Sequence, residues 1–464
     1  MTTTRTTPTT GIDLAPIDAL VVDYALEHRC PTISWGILLD NAIAATGAVG
    51  DVTDRTVYRI ASMTKSFSAA STLTLRDQGV LRLDDPIDLH APELAGLRSP
   101  TADAPAITIR DLLSMTSGLI EDDAWADRHL DLTDDEFDRI VSDGPVFAQP
   151  TGVRFEYSNF GFAVLGRVIQ RASGQRIQEI VSERLLAPLA MHQSTWLQPD
   201  HDDWAPPLRW LDGGYVAEIP SPGDGLVAPM GGIWSTVADV ATWVAWLSDA
   251  FPARDGVDEG PLCRASRREM QMIQRYVGSR SLRGVRSPTG YGLGLRILDE
   301  SDLGTVVTHS GGFPGYGSNM RWLPGRGVGV VALSNVTYAP MTELTAFILD
   351  LINQQGLVPR PPVLVTPALH EAGRQLLRLF NDWSDPLADS IFADNVQWDD
   401  SYARRRDSVG RSIRPPIVIN DVTASDQGSA TIRCTDAATN AITITFSLAP
   451  ISPPRIQEYE IVVE

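Results

Sequence analysis

Ser62 and Lys65 stand three residues apart in Tyr58-Arg59-Ile60-Ala61-Ser62-Met63-Thr64-Lys65-Ser66-Phe67, and Lys65 is the only lysine in the chain. Every other strong cation is an arginine. An arginine keeps its proton in a protein, whereas a lysine amine can release one once burial or a neighbouring cation lowers its pKa. The single lysine therefore marks a position where a proton must leave the side chain. Residues i and i+3 of a helix share a face, so a helical segment after Ser62 brings the amine to the hydroxyl. A serine hydroxyl is a weak nucleophile until an adjacent base takes its proton, and a neutral lysine is such a base. The plain alternative is a serine helix cap followed by a solvated lysine.

Two later stretches have the right chemistry to join this pair. In Pro150-Thr151-Gly152-Val153-Arg154-Phe155-Glu156-Tyr157-Ser158-Asn159-Phe160-Gly161, Tyr157 and Asn159 are two apart and point the same way if the segment is extended. The tyrosine can relay a proton; the asparagine can donate to a substrate amide or to the surroundings of the lysine. In Thr308-His309-Ser310-Gly311-Gly312-Phe313-Pro314-Gly315, glycines after a strand let a ligand approach the backbone, and His309 at the strand end faces a site. Taken singly, the first is also an ordinary turn with a half-buried aromatic and the second an ordinary glycine-rich hairpin.

Taken together and in this order, Ser62-x-x-Lys65, Tyr157-x-Asn159 and His309-x-Gly311 resemble the motifs of the penicillin-recognising serine hydrolases: class C β-lactamases, DD-peptidases, the related carboxylesterases and the D-aminopeptidases. Flanking residues agree, among them Tyr58-Arg59, Leu112 to Leu119, Pro150-x-Gly152 and Ala332-Leu333-Ser334-Asn335. The resemblance covers about residues 12–355. It implies an α+β fold, an antiparallel sheet flanked by helices beside an all-helical region. It also implies roles. Ser62 would be the acylated nucleophile and Lys65 its proton acceptor. Tyr157 would protonate the leaving group and help activate water. Asn159, His309 and Gly311 would bind substrate, with Asn159 on the acyl side. The backbone N–H groups of Ser62 and Gly312 would form the oxyanion hole, each such donor typically worth ~3–4 kcal/mol in the transition state. One departure stands out: the third motif of β-lactamases and DD-carboxypeptidases usually begins with a lysine that binds the substrate carboxylate, and here it begins with His309. A histidine of ordinary pKa is mostly neutral at pH 7 and a poor carboxylate anchor. The pattern resembles the esterase and D-aminopeptidase branches, unless Arg321 or another arginine supplies the charge.

The elements that must position these residues are legible in part. Apolar spacing predicts a helix within Ile12 to Arg29, then strands Ile33–Leu39 and Ile43–Gly47. An alanine- and leucine-rich helix follows from Ser66 to Gln78, carrying Lys65 at its start and stopping at Gly79. Helical patterns fill a region of about 105–285, at 136–141, 161–172, 176–186, 237–250 and 267–276, around a proline-, glycine- and tryptophan-rich loop from Trp196 to Trp234. Trp196, Trp204, Trp210 and Trp234 are candidates for an apolar acyl pocket, or simply core. Strands are predicted from Tyr291 to Asn335 and a helix over 341–354. Residues 1–11 read as a disordered lead, 12–357 as the hydrolase domain, 358–367 as a proline-rich linker, and 368–464 as a small C-terminal β-rich α+β domain with one helix and three strands.

Composition bounds the partners. The net charge of −20 over 464 residues argues against nucleic acid and anionic membranes, which need basic patches. Acidic runs such as Asp122-Asp123 read as solvated surface. Three scattered cysteines and seven scattered histidines give no disulfide framework and no metal motif, and no cofactor is called for. No signal peptide or apolar run of ~18 residues is visible, so a cytoplasmic protein is expected. The reading is a serine hydrolase acting through an acyl-enzyme on an ester or amide of a small molecule or short peptide, with esterase and D-aminopeptidase or amidase ahead of β-lactamase or DD-carboxypeptidase. An acyltransferase on the same site and a non-catalytic binding protein on the same fold are the alternatives, and a homo-oligomer is left open.

Overall fold

The computed structural model describes residues 3–5, 11–219, 222–258, 260–282, 285–359 and 365–463. The chain forms two compact units, Met1–Arg360 and Pro361–Glu464.

The first unit is built on a nine-stranded antiparallel sheet in the order Thr3–Arg5, Ala42–Val49, Ile33–Leu39, Val328–Ser334, Tyr316–Leu323, Gly304–Phe313, Arg296–Glu300, Val285–Tyr291, Arg275–Leu282. The N-terminal hairpin thus completes the sheet made by the later strands. Its central strands are buried on both faces, which is why Val328–Ser334 and Ile33–Leu39 read as near-continuous apolar runs. One face packs on the helices Ala15–Glu27 and Met341–Gln354 around Ile17, Val21, Leu344 and Ile348. The other faces Val237–Ser248 and the helical region, whose core runs through Phe67, Leu112, Val164 and Trp243.

The structure departs from the sequence reading at several points. Thr3–Arg5, expected in a disordered lead, pairs as an edge strand with Ala42–Val49. The helix expected over 267–276 stops at Met270, and Arg275–Leu282 is a strand on Val285–Tyr291. Met270, Ile273 and Tyr276 repeat at three-residue spacing, but pairing to the sheet overrides that local signal. The loop 196–234 holds a short hairpin, Leu208–Leu211 with Gly214–Ala217. The helices Asn159–Ser173 and Asp134–Asp143 lie where apolar spacing put them, the second opening on a capping box between Thr133 and Glu136.

Among the described residues the second unit is a four-stranded sheet, Val418–Ala424, Ser429–Thr435, Ala441–Leu448 and Ile456–Val463, with four helices rather than one. Pro367–Asn381 packs on it around Leu376 and Phe380. Val418–Ala424 and the three helices between Asp385 and Ser412 went unread because their apolar residues are few and much of their surface is exposed. Part of the proline-rich linker lies outside the described residues. No helix among the described residues is long and apolar enough to cross a membrane.

Candidate active site

Ser62 occupies a tight 3-10 turn, Ala61–Met63, that runs directly into the helix Thr64–Asp77. Ala61 holds φ at 48°, in the left-handed region that a residue with a Cβ avoids. Strain of this kind costs ~1–3 kcal/mol and survives only where surrounding packing imposes it. The strand Gly304–Phe313 imposes it here. A Cβ on Gly311 would stand 2.2 Å from the Ile60 carbonyl oxygen and 2.3 Å from the Ser318 hydroxyl. Ser318 donates to that carbonyl at 2.8 Å, tying the adjacent strand to the turn. Gly311 is thus packed closely against the turn that carries Ser62.

The helix after Ser62 is buried from Thr64 to Leu75. Small residues allow this, and their hydroxyls find acceptors: Ser66 on the Met63 carbonyl at 2.8 Å and Ser68 on the Pro229 carbonyl at 2.7 Å. Lys65 is carried into this interior with no exposed surface. Its Nζ lies 3.0 Å from Ser62 Oγ, 2.7 Å from Asn159 Oδ1 and 2.8 Å from the Met230 carbonyl oxygen. Burial lowers its pKa to about 8, against the pull of Asp123, Asp127 and Asp122.

Those three neighbours decide what the amine can do. A neutral amine has two N–H bonds and one lone pair. The amide oxygen and the carbonyl oxygen can only accept, so they take both N–H bonds. Ser62 is the one neighbour that can also donate, and the lone pair faces it.

Asn159 is fixed for this task from its other end. Its Nδ2 donates to Asp123 Oδ1 at 2.7 Å, which leaves Oδ1 toward the lysine. Asp122 accepts from the backbone N–H groups of Asn159 and Phe160 at 2.7 and 2.8 Å, a carboxylate on the exposed donors of the helix Asn159–Ser173. The Asp122-Asp123 run, read as solvated surface, thus anchors Asn159. Asn159 itself is buried, with its Oδ1 on Lys65 Nζ and its Nδ2 on Asp123 Oδ1, so its amide is held beside the lysine.

Ser62, Tyr157, His309, Gly312 and Arg296 line one open cavity of about 290 Å³. The Tyr157 phenol is held well above its ordinary range, by burial first and then by Tyr291 and Asp123, with its hydrogen bond to Ser62 and the charge of Arg296 opposing. It is a neutral proton donor at physiological pH. The Lys65 amine lies 4.9 Å from its ring centre. His309 is brought into the cavity wall, but its nitrogens are engaged: Nε2 is 3.1 Å from the Tyr291 hydroxyl and Nδ1 is 2.7 Å from the Ser310 carbonyl oxygen. Burial, then the charge of Lys65, lowers its pKa to about 3.

Arg296, which the sequence did not single out, brings a cation to the cavity. It lines the cavity and has no ion pair among the described residues, its guanidinium 5.7 Å from the Phe155 ring centre. Arg321, the arginine proposed for this charge, is fully buried and paired with Glu300 at 2.8 Å. The tryptophan wall is not found either. Trp196 and Trp234 are core, Trp234 lying 4.6 Å under the buried Arg59, while Trp210 lies 4.9 Å beneath Arg29. Glu121, Asp123, Ser310 and Tyr338 complete the cavity. Tyr338 holds φ at 52° and donates to buried Asp127 at 2.7 Å. Nothing in the sequence marked Arg296 or Tyr338, because each reaches the cavity only through the register of the sheet or a turn.

Fold and site define a serine hydrolase of the β-lactamase fold. The family model for Beta-lactamase matches residues 17–353, and the chain belongs to that family. It is 28% identical over 299 residues to the D-alanyl-D-alanine-carboxypeptidase/endopeptidase AmpH of Escherichia coli K12, covering 62% of this chain and 72% of the relative. It is 29% identical over 340 residues to the esterase EstB of Burkholderia gladioli, covering 64% of this chain and 82% of the relative. Among solved structures, the octameric penicillin-binding protein homologue from Pyrococcus abyssi superposes with a TM-score of 0.63 at 21% identity, covering 98% of this chain and 99% of that one.

Proposed function

We propose that the chain hydrolyses an ester or amide through an acyl-enzyme on Ser62. The observation that carries this is the set of partners of Lys65 Nζ, which are Ser62 Oγ at 3.0 Å, Asn159 Oδ1 at 2.7 Å and the Met230 carbonyl oxygen at 2.8 Å; once the amine is neutral, the two oxygens that can only accept take its N–H bonds and its lone pair is left to Ser62 Oγ. Ser62 Oγ attacks the carbonyl carbon while its proton passes to Lys65 Nζ. As the carbon–leaving-group bond breaks, the Tyr157 hydroxyl gives the leaving atom a proton and recovers one from Lys65. Water then attacks the acyl-enzyme, its proton returning through the same pair, and the acid departs.

The developing oxyanion would be met by the N–H groups of Ser62 and Gly312. The strand pairing supports this. The two-residue turn closes on Phe313 opposite Tyr316, and Gly312 opposite Gly317 is the next pair. In an antiparallel ladder hydrogen-bonded and non-bonded pairs alternate, so the Gly312 N–H points away from the partner strand. Among the described residues no partner strand covers its other side, because Arg296–Glu300 pairs only as far as Thr308.

Arg296 favours a second, narrower reading. An unpaired guanidinium in the cavity is suited to a substrate carboxylate. This restores carboxypeptidase-type substrates to equal standing with esters and D-amino-acid amides, which the histidine of the third motif had placed ahead. The experiment is intact-protein mass spectrometry after a fluorophosphonate probe, with turnover of p-nitrophenyl acetate, D-alanine p-nitroanilide, a D-alanyl-D-alanine peptide and nitrocefin, beside Ser62→Ala and Arg296→Gln. An adduct on Ser62 and Ser62-dependent turnover support the acyl-enzyme. Loss confined to the carboxylate-bearing substrates in Arg296→Gln supports the narrower reading. No adduct and no Ser62-dependent turnover leave a binding protein on this fold.

A further inference from the structure

Beside the catalytic cavity lies a second groove, of about 400 Å³, with a different character. Leu119, Ile120, Trp125, Ile140, Val146 and Phe160 line it. Several of these are unusually open for apolar residues: Val146 is 65% exposed, Ile120 44% and Trp125 38%. Clustered exposure of this kind marks a place where something apolar binds.

The groove is preformed. Leu119 and Phe147 form an antiparallel bridge, and the Ile120 N–H donates to the Val146 carbonyl at 3.3 Å, fixing two walls in register. Phe160 stacks on Phe137 at 5.4 Å between ring centres and holds the floor.

It is also continuous with the site. Glu121 lines both the groove and the cavity that holds Ser62. The chain through Tyr157 divides its residues between the two: Tyr157 lines the cavity and Asn159 meets Lys65, while Ser158 and Phe160 line the groove. Glu121 and the Tyr157–Phe160 segment are thus the edge that the groove shares with the cavity holding Ser62.

We infer that this groove is an acyl-chain subsite, taking the hydrocarbon part of the group transferred to Ser62. The inference rests on the acyl-enzyme reading above and narrows it: the favoured substrates carry an apolar acyl group longer than acetyl. Each methylene removed from water is worth about fourfold in binding, so a chain that reaches the groove gains visibly over one that does not.

The test compares p-nitrophenyl acetate with p-nitrophenyl octanoate in the wild type, Val146→Asp and Trp125→Ala. The subsite predicts a kcat/KM at least about tenfold higher for octanoate in the wild type, a loss of most of that advantage in both variants, and acetate turnover within about twofold of wild type throughout. Val146 is exposed, so the aspartate reaches solvent without disturbing the core. A readout independent of turnover is the rate at which ethyl and octyl p-nitrophenyl methylphosphonates modify Ser62, where Ser62 Oγ bonds to phosphorus and p-nitrophenolate leaves. Faster modification by the octyl reagent, lost in Val146→Asp, is the expected result. Equal rates for the two reagents, or a chain-length preference that survives both substitutions, overturn the subsite while leaving the acyl-enzyme intact. Failure of both reagents to modify Ser62 overturns the acyl-enzyme reading and the subsite with it. Sedimentation of the wild type as an oligomer that Val146→Asp dissociates overturns it too, assigning the groove to a second copy of the chain.

Discussion

His309 Nε2 lies 3.1 Å from the Tyr291 hydroxyl, and this pairing fixes the state of the histidine. Its Nδ1 faces only the Ser310 carbonyl oxygen at 2.7 Å and must donate. In the neutral ring Nε2 is then the acceptor, and Tyr291 donates to it. A proton on Nε2 would turn donor against donor unless the tyrosine rotated, and the nearby Lys65 and Arg296 charges oppose it. His309 is therefore a neutral wall of the cavity, and Arg296 is a cation that lines the same cavity.

The pH profile of kcat/KM follows from this. On the proposed mechanism the catalytic form requires neutral Lys65, whose pKa is lowered to about 8, so activity should rise with pH through about 8 and level off above it. His309, with a pKa of about 3, adds no limb between pH 5 and 8. The measurement is kcat/KM for a neutral ester from pH 5 to 10. A limb near 6.5 that disappears in His309→Gln would show that the histidine titrates after all.

Asp123 exerts the largest single charge effect opposing the loss of the Lys65 proton. Asp123→Asn removes that charge and keeps an oxygen for Asn159 Nδ2. The acid limb should move to lower pH, with the plateau rate within about threefold of wild type, because the geometry of the lysine is retained. A shift to higher pH would contradict the assignment of the limb to Lys65.

Asp127 offers a stability prediction of definite sign. Burial raises its pKa from 3.8 to about 7. Between those values the folded chain holds a proton that the unfolded chain has lost, so stability falls as pH rises through that window, and the penalty is complete above about 7. An asparagine side chain at this position avoids the penalty and still accepts from Tyr338. Asp127→Asn should be more stable than wild type at pH 8, on the order of 2 kcal/mol, and nearly equal at pH 4. Thermal unfolding at both pH values checks it. A destabilised variant at pH 8 would mean that the carboxylate is held ionised.

How far the sequence reached depended on where each signal is written. Ser62 and Lys65 were legible because their relation is local, three residues on a helix, and because the lysine stood alone among arginines. Tyr157 and Asn159 share a local segment, but their division of labour did not show, since the partners of Asn159 are Lys65 and Asp123. Arg296 reaches the cavity because its strand pairs Arg296 with Thr308, the residue before His309. That register has no local trace in a chain with many arginines. The central strands and long helices were legible from periodicity. The second unit's short helices were not, because a half-exposed helix of six or seven residues carries too few apolar positions to show a period.

Gly312 and Tyr338 make the last prediction. A Cβ on Gly312 would stand 2.8 Å from Tyr338 Cδ1, and Tyr338 is itself held at a left-handed φ by its turn and by its bond to Asp127. The ring cannot retreat freely. Gly312→Ala should therefore displace the strand segment whose N–H the proposed mechanism aims at the oxyanion, lowering kcat about 10²-fold or more, the range seen when one such donor is lost. Removing the ring removes the conflict, so Gly312→Ala with Tyr338→Ala should recover at least about tenfold of that loss, although each change alone reduces activity. Steady-state kinetics on the two single variants and the double variant decide it. Additive losses would show that Gly312 is needed for its own conformation and not for the space beside Tyr338.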